Sequence, residues 1–286
     1  MFKCTEFEIG KRFKDILGSA SLNRFDRLMN ADLGIVVRSK RGQEVRKIEI
    51  ETGHVRKLFY LKRCTSRASE AIAALWRSRE LPCERELAMI RALQERDMPV
   101  MRPAAWGRRS VLGMSREGFL LVEAVDGQEV TDLFGRADRR LRLRLVRAMG
   151  NLLGQLNGLG FFQRIRLRDL ICTEIPDPDR APVQLVLIDR EATRVRPQRF
   201  STARCIDCLA RCYCKLIQLR HRLDAREMSS FAGSYMAALE GRGSVRKREL
   251  INRTRRRVES LTAPGGKYQD LQNVALSAAP EESDKG

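Results

Sequence analysis

The sequence predicts an α+β fold that changes from strand-rich to helix-rich near residue 125. Three observations carry the prediction. β-branched runs broken by turn residues lie between Gly34 and Lys62, apolar residues recur at helical spacing from Pro82 and again from Arg139, and several apolar runs each deliver one charged side chain at their end. With 286 residues, 43% of them hydrophobic, the chain can bury one large or two moderate cores.

The first elements are strands. Gly34 to Arg38, Val45 to Glu51 and Arg56 to Lys62 read as an antiparallel sheet, with turns at Ser39-Lys40-Arg41-Gly42 and Glu51-Thr52-Gly53-His54. The first turn reads equally as a plain basic hairpin or as a flap over phosphates, for which Gly42 alone supplies the backbone freedom. A helix is expected from Pro82, which suits a first helical position, to about Gln94, with Met98-Pro99 beyond its end. On it Cys83, Leu87, Met89, Ile90 and Leu93 form one apolar face, and Glu86 lies near the middle of that face. A carboxylate there needs a partner, and Lys62, ending an apolar strand, is the natural one.

Gly118 to Glu123 then reads as a buried strand and Ala124-Val125-Asp126-Gly127 as a linker. Arg139 to Leu159 has helical spacing. Leu170 to Thr173 and Gln184 to Ile188 read as short strands around a Pro-rich turn, with Asp169 before the first and Asp189 after the second. Such a hairpin brings both carboxylates to one edge. Lys62, Glu86, Asp169 and Asp189 thus fall in the order that a protein-kinase-like two-lobed fold needs: Lys62 for nucleotide phosphates, Glu86 to hold it, and Asp169 and Asp189 for Mg²⁺.

The loop before Asp169 admits two registers. In one, Leu167-Arg168-Asp169 is the triplet carrying the catalytic base, and Glu174 replaces the metal-binding Asn of kinases. In the other, Asp169 takes the metal position and Arg164 falls where the base belongs. The strand directly after Asp169 favours the second register, because Ile175-Pro176-Asp177-Pro178 after Glu174 cannot form an interior strand. Arg164 cannot accept a proton, so slow turnover is expected.

Tyr60-Leu61-Lys62-Arg63, the Glu86 helix with its following Met-Pro, and above all the stretch from Leu187 to Arg196 resemble the lipopolysaccharide kinase (Kdo/WaaP) family. The run Asp207 to Cys212 and the run Phe231 to Met236 are similar to that family's C-terminal helices. The resemblance implies an ATP- and Mg²⁺-dependent kinase acting on a sugar of the lipopolysaccharide core, or a related glycolipid, at the cytoplasmic face of the inner membrane. It implies ATP contact at Lys62, anchoring at Glu86, and metal binding at Asp169 and Asp189. The chain lacks the family's His-Arg-Asp triplet between Phe162 and Ile165. A pseudokinase that binds nucleotide or glycolipid without turnover therefore stands as the alternative.

The surplus of 55 Lys and Arg over 36 Asp and Glu, a net charge of +19, favours anionic partners. Arg242, Arg246, Lys247, Arg248, Arg253, Arg255, Arg256 and Arg257 crowd one predicted helix, whose face suits an anionic glycolipid or membrane surface, or simply solvent. A basic membrane- or nucleic-acid-binding protein is a third reading. Two Trp and four Tyr without aromatic-basic interleaving disfavour nucleic acid. No long apolar run or export signal is visible, so a cytoplasmic chain, peripheral at the membrane, is expected. Among eight Cys, the group Cys205, Cys208, Cys212 and Cys214 lies in a predicted helix with Cys205, Cys208, Cys212 and Leu216 or Leu219 on one stripe, which favours buried thiols over a zinc site. The expected organisation is an N-terminal extension over 1–29, an N-lobe over 30–125, a C-lobe over 126–261 and a disordered tail over 262–286.

Overall fold

A computed structural model describes residues 3–40, 42–52, 55–66, 80–112, 114–173, 183–189, 195–239 and 246–271. The chain divides into two units: Met1–Asp126 with Val186–Val195, and Gly127–Leu185 with Arg196–Gly286. The change at the Asp126/Gly127 boundary falls within the expected linker.

The first unit is built on strands β1 (Lys3–Ile9), β2 (Ile35–Lys40), β3 (Gln43–Thr52), β4 (Val55–Thr65), β5 (Pro103–Val111) and β6 (Met114–Glu123). They form one antiparallel sheet in the order β1-β5-β6-β4-β3-β2. Alternation along β4 decides what each face carries. Phe59 and Leu61 point to one face, where they join Phe13, Leu17, Phe25 and Leu28 in a buried cluster. Lys62 and Cys64 point to the other, toward helix α3 (Pro82–Gln94). Pro at the start, and Glu84 accepting from the Leu81 N–H at 2.6 Å, fix where α3 begins.

Residues before 30, expected as an extension, belong to this core. β1 pairs along β5 from Lys3↔Val111 to Ile9↔Ala105. Short helices α1 (Lys14–Ser19) and α2 (Phe25–Asn30) place Leu17, Phe25 and Leu28 against the sheet. Gly107 is required there: a Cβ would come within 2.7 Å of the Phe25 ring and 2.9 Å of the Phe119 ring. The turn between β2 and β3 is tight, since pairing runs out to Lys40↔Gln43 and Gly42 takes φ 75°. The turn is that of a hairpin, and Arg41 within it lies outside the described residues.

The second unit is helical: α4 (Val130–Arg136), α5 (Arg139–Gly158), α6 (Thr202–Gln218), α7 (Ala225–Ala238) and α8 (Lys247–Thr262). Asp138 caps α5 by accepting from the Leu141 N–H at 2.7 Å, and Asp224 caps α7 by accepting from the Glu227 N–H at 2.7 Å. Gly150 and Gly154 let α5 press on α7, because a Cβ at either would meet the carbonyl of Phe231 or Tyr235 at 2.5 or 2.4 Å. Buried Asn157 donates to the Tyr235 hydroxyl at 2.8 Å across the same seam. Short strands β7 (Gln128–Glu129) and β8 (Leu170–Cys172) pair antiparallel.

α6 carries Cys205, Cys208 and Cys212 on one stripe and Cys214 on the opposite side; Cys205, Cys208 and Cys214 are buried and Cys212 is half-buried. Among the described residues no cluster of His, Cys, Asp and Glu could hold a metal ion. Ala210, Cys214 and Ile217 of α6 pack with Val258 and Leu261 of α8 and with Tyr268 and Leu271. The expected tail from 262 is therefore packed as far as Leu271.

Candidate functional site

The site grows from β4 and α3. Lys62 leaves β4 on the α3 side, and α3 turns Glu86 inward among Cys83, Leu87, Met89 and Ile90. The Lys62 Nζ donates to the Glu86 carboxylate at 2.7 Å, with the Glu86 side chain 7% exposed and that of Lys62 14%. Nearby, the Cys83 thiol hydrogen-bonds that of Cys64, tying the same helix to the same strand. That contact and burial hold the Cys83 thiol well above its ordinary range, so it stays protonated.

Asp189 arrives by a connection that the sequence does not announce. β9 (Leu185–Leu187) carries the chain from the second unit into the first. Leu187 bridges in parallel to Val100: its N–H donates to the Pro99 carbonyl at 2.9 Å, and its carbonyl accepts from the Met101 N–H at 3.0 Å. Two residues on, Asp189 accepts a short hydrogen bond from Lys62. Its φ of 53° lies in the left-handed region, a conformation that Asp tolerates better than most residues and that clusters at functional positions. Its side chain is 54% exposed.

Burial by itself would lower the Lys62 pKa, but the charges of Glu86 and then Asp189 outweigh it and raise the value above the ordinary 10.5. The ammonium is therefore fully charged at neutral pH. It has three donors, of which Glu86 and Asp189 take two. The remaining Lys62 donor can reach an anionic oxygen, with the exposed Asp189 carboxylate beside it.

Asp169 belongs to the second unit. A 3-10 turn over Leu167–Asp169 delivers it to β8, buried at 3% exposure. Arg166 holds it completely: its Nε lies 2.9 Å from both carboxylate oxygens, its Nη2 2.6 Å from one, and its backbone N–H donates to the other at 3.0 Å. The i,i+3 spacing of this pair is the sequence signal for it. Arg164, exposed, donates to the Tyr268 hydroxyl at 3.2 Å. Behind this loop the Ile165 N–H donates to the Cys212 sulfur at 3.3 Å, and the Cys208 thiol donates to the Gln163 carbonyl at 3.4 Å. Glu174 and the stretch Arg190 to Arg194 lie outside the described residues.

The model of the lipopolysaccharide kinase (Kdo/WaaP) family matches residues 30–215. Among solved structures the chain resembles WaaP in complex with acyl carrier protein, with a TM-score of 0.62 and 18% identity over 89% of this chain and 98% of that one. The bifunctional kinase-methyltransferase WbdD matches with a TM-score of 0.41 and 11% identity, over 78% of this chain and 46% of that one. No curated protein sequence matches. The likeness to WaaP shows that the fold is kinase-like, as the order of Lys62, Glu86, Asp169 and Asp189 predicts.

Proposed function

Since the chain belongs to the lipopolysaccharide kinase (Kdo/WaaP) family, we propose that it binds ATP through Lys62 and transfers phosphate slowly to a sugar of the lipopolysaccharide core, or a related glycolipid, at the cytoplasmic membrane face. The observation that carries this reading is the Lys62 ammonium held between buried Glu86 and exposed Asp189. Glu86 fixes the ammonium in place at no cost in reorganisation when a phosphate arrives, which is how preorganised charge contributes to phosphoryl transfer. An incoming phosphate oxygen takes over the share of Lys62 that Asp189 holds.

The two acidic residues expected to bind Mg²⁺ fit that ion unequally. Asp189 fits: its carboxylate is half exposed and lies two residues beyond a strand, and hard oxygen donors of this kind suit Mg²⁺. A bound Mg²⁺ would neutralise phosphate charge there. Asp169 fits only if Arg166 lets go, since a cation at its oxygens would face the guanidinium. In the reading proposed here Asp169 and Arg166 hold the shape of the loop that carries Arg164. With Arg164 where a proton acceptor is expected, turnover rests on positioning and charge.

Thermal denaturation with Mg-ATP tests the first half of this reading, and transfer of labelled phosphate from ATP to a glycolipid extract tests the second. A rise in melting temperature that disappears in Asp189→Asn, together with weak labelling, is the expected result. A rise without any labelling would establish the pseudokinase reading, and no rise at all would remove nucleotide binding.

A further inference from the structure

Helix α8 carries a basic face that shares no residue with the Lys62 group. The inner side of α8 is committed to packing: Leu250, Val258, Leu261 and Thr262 are buried. Its outer side carries Arg248, Asn252 and Arg256 at successive four-residue steps, with Arg246 and Arg253 alongside, all exposed. Two adjoining depressions of about 490 and 470 Å³ open onto this face, and Arg253 and Arg256 line both.

Ion pairing separates the arginines that hold the helix from those that face outward. Arg257 is spent on Asp207 of α6, donating at 2.9 and 2.7 Å, and this contact joins the two helices. Arg253 has a long contact of 3.4 Å to Glu249. Among the described residues Arg246, Arg248, Arg255 and Arg256 form no salt bridge. The sequence offered the whole basic run as one surface; the structure takes Arg257 out of it.

The geometry points to this outer face of α8 as a docking surface for an anionic lipid membrane. The stripe from Arg246 to Arg256 spans about 15 Å along a straight helix, a shape suited to a flat array of phosphates. Its outer side has no large apolar side chain to insert, and the apolar side is locked in the core, so the contact is Coulombic and the helix lies on the surface instead of entering it. No aromatic residue lies within α8, so the base-stacking platform that single-stranded nucleic acid prefers is missing.

Co-sedimentation with vesicles tests the proposal on the full chain. Vesicles of phosphatidylglycerol mixed with phosphatidylcholine should retain the protein at low salt and release it as salt is raised. Each basic residue strengthens such binding roughly fivefold. The double variant Arg248→Glu/Arg256→Glu, which reverses two charges, should therefore weaken retention by roughly a hundredfold or more. Arg248→Lys/Arg256→Lys should keep it. Both positions are exposed, so the Mg-ATP effect on melting should stay as in the unmodified protein, and failure here leaves the nucleotide reading untouched. Equal retention on pure phosphatidylcholine, unchanged retention of the Glu variant, or a preference for nucleic acid over vesicles that depends on the same two arginines would each overturn the proposal.

Discussion

The two units treat their charged side chains in opposite ways. In the first, a lysine, a buried glutamate and an exposed aspartate are gathered so that one ammonium stands ready for an anion. In the second, the loop from Gly160 to Asp169 pairs its one carboxylate internally, Asp169 with Arg166, while Arg164 points its guanidinium at the Tyr268 hydroxyl. The first arrangement costs something to maintain and is open to a ligand; the second is satisfied as it stands. On the function proposed above, holding a nucleotide and moving a proton are therefore separable properties, the first assigned to the Lys62 group and the second to the loop of Arg164.

The largest expected effect breaks the open arrangement. Lys62→Ala removes the ammonium from its buried ion pair with Glu86, and removing one partner of a buried pair costs about 3–5 kcal/mol. Urea denaturation should show that loss. Saturating Mg-ATP should raise the melting temperature of the unmodified protein by roughly 5–10 °C at a hundred times its dissociation constant, and should leave the variant unmoved. The pH dependence has a definite sign. Because the folded Lys62 pKa is raised above 10.5, the stability it contributes is fully present below that value and is lost only as pH climbs through the higher folded one. Nucleotide affinity measured between neutral and mildly alkaline pH should therefore show no titration of Lys62.

The second effect sharpens the contrast from the side of the closed loop. Arg164→Asp places a proton acceptor where one is expected, and general-base assistance is worth about 10²- to 10⁴-fold in rate. We expect labelled-phosphate transfer to rise by about a hundredfold, with nucleotide affinity unchanged. An unaltered rate would return the base role to Asp169 and with it the register in which Leu167-Arg168-Asp169 is the catalytic triplet.

Much of the open arrangement is legible in the sequence. Helical spacing from Pro82 to Gln94 puts Glu86 on the buried face, and the structure has the helix over that span with Lys62 as the partner of Glu86. Asp189 is visible as a strand end, but its meeting with Lys62 depends on the parallel bridge between Val100 and Leu187, which leaves no local pattern. β1 and β5 are missed for a related reason. Their charges are answered by residues far away in sequence, Arg108 by Glu6 of the neighbouring strand and Arg109 by Asp26 of α2, so a local window reads solvent-facing polarity. The pair Arg166 and Asp169 stands at i,i+3, but in sequence a carboxylate so placed reads equally as a ligand for a bound cation and as the partner of the arginine three residues before it, and only the structure chooses.

A third effect keeps the two units apart in measurement. Gly154→Ala on α5 drives a Cβ to within 2.4 Å of the Tyr235 carbonyl and 2.7 Å of the Ala238 Cβ, and backbone cannot yield as a long side chain would. Overpacking of this kind costs about 1–3 kcal/mol, of which better helix propensity returns up to about 1 kcal/mol. The urea midpoint should fall while calorimetric Mg-ATP affinity at room temperature stays the same. A matching loss of affinity would show that the helical unit sets the nucleotide site, against the separation drawn above.

The smallest effect is the most discriminating, because Asp169 can be a cation ligand or the anchor of Arg166 but not both at once. In Asp169→Asn the amide oxygen still accepts from Arg166, while its NH₂ now meets donors. The charge-assisted bonds weaken, and the cost should be about 1 kcal/mol in stability. If the carboxylate serves only Arg166, Mn²⁺-ATP affinity, followed by the paramagnetic signal of the ion, should change by less than about twofold. If the carboxylate reaches the ion once nucleotide is bound, affinity should instead fall by about tenfold, the loss of about 1.4 kcal/mol. Arg166→Gln then gives the opposite sign for the two roles. Freed from the guanidinium, a true ligand would bind Mn²⁺-ATP more tightly than before. An anchor deprived of its partner would leave a buried, uncompensated carboxylate, lower the urea midpoint, and leave the metal affinity where it was.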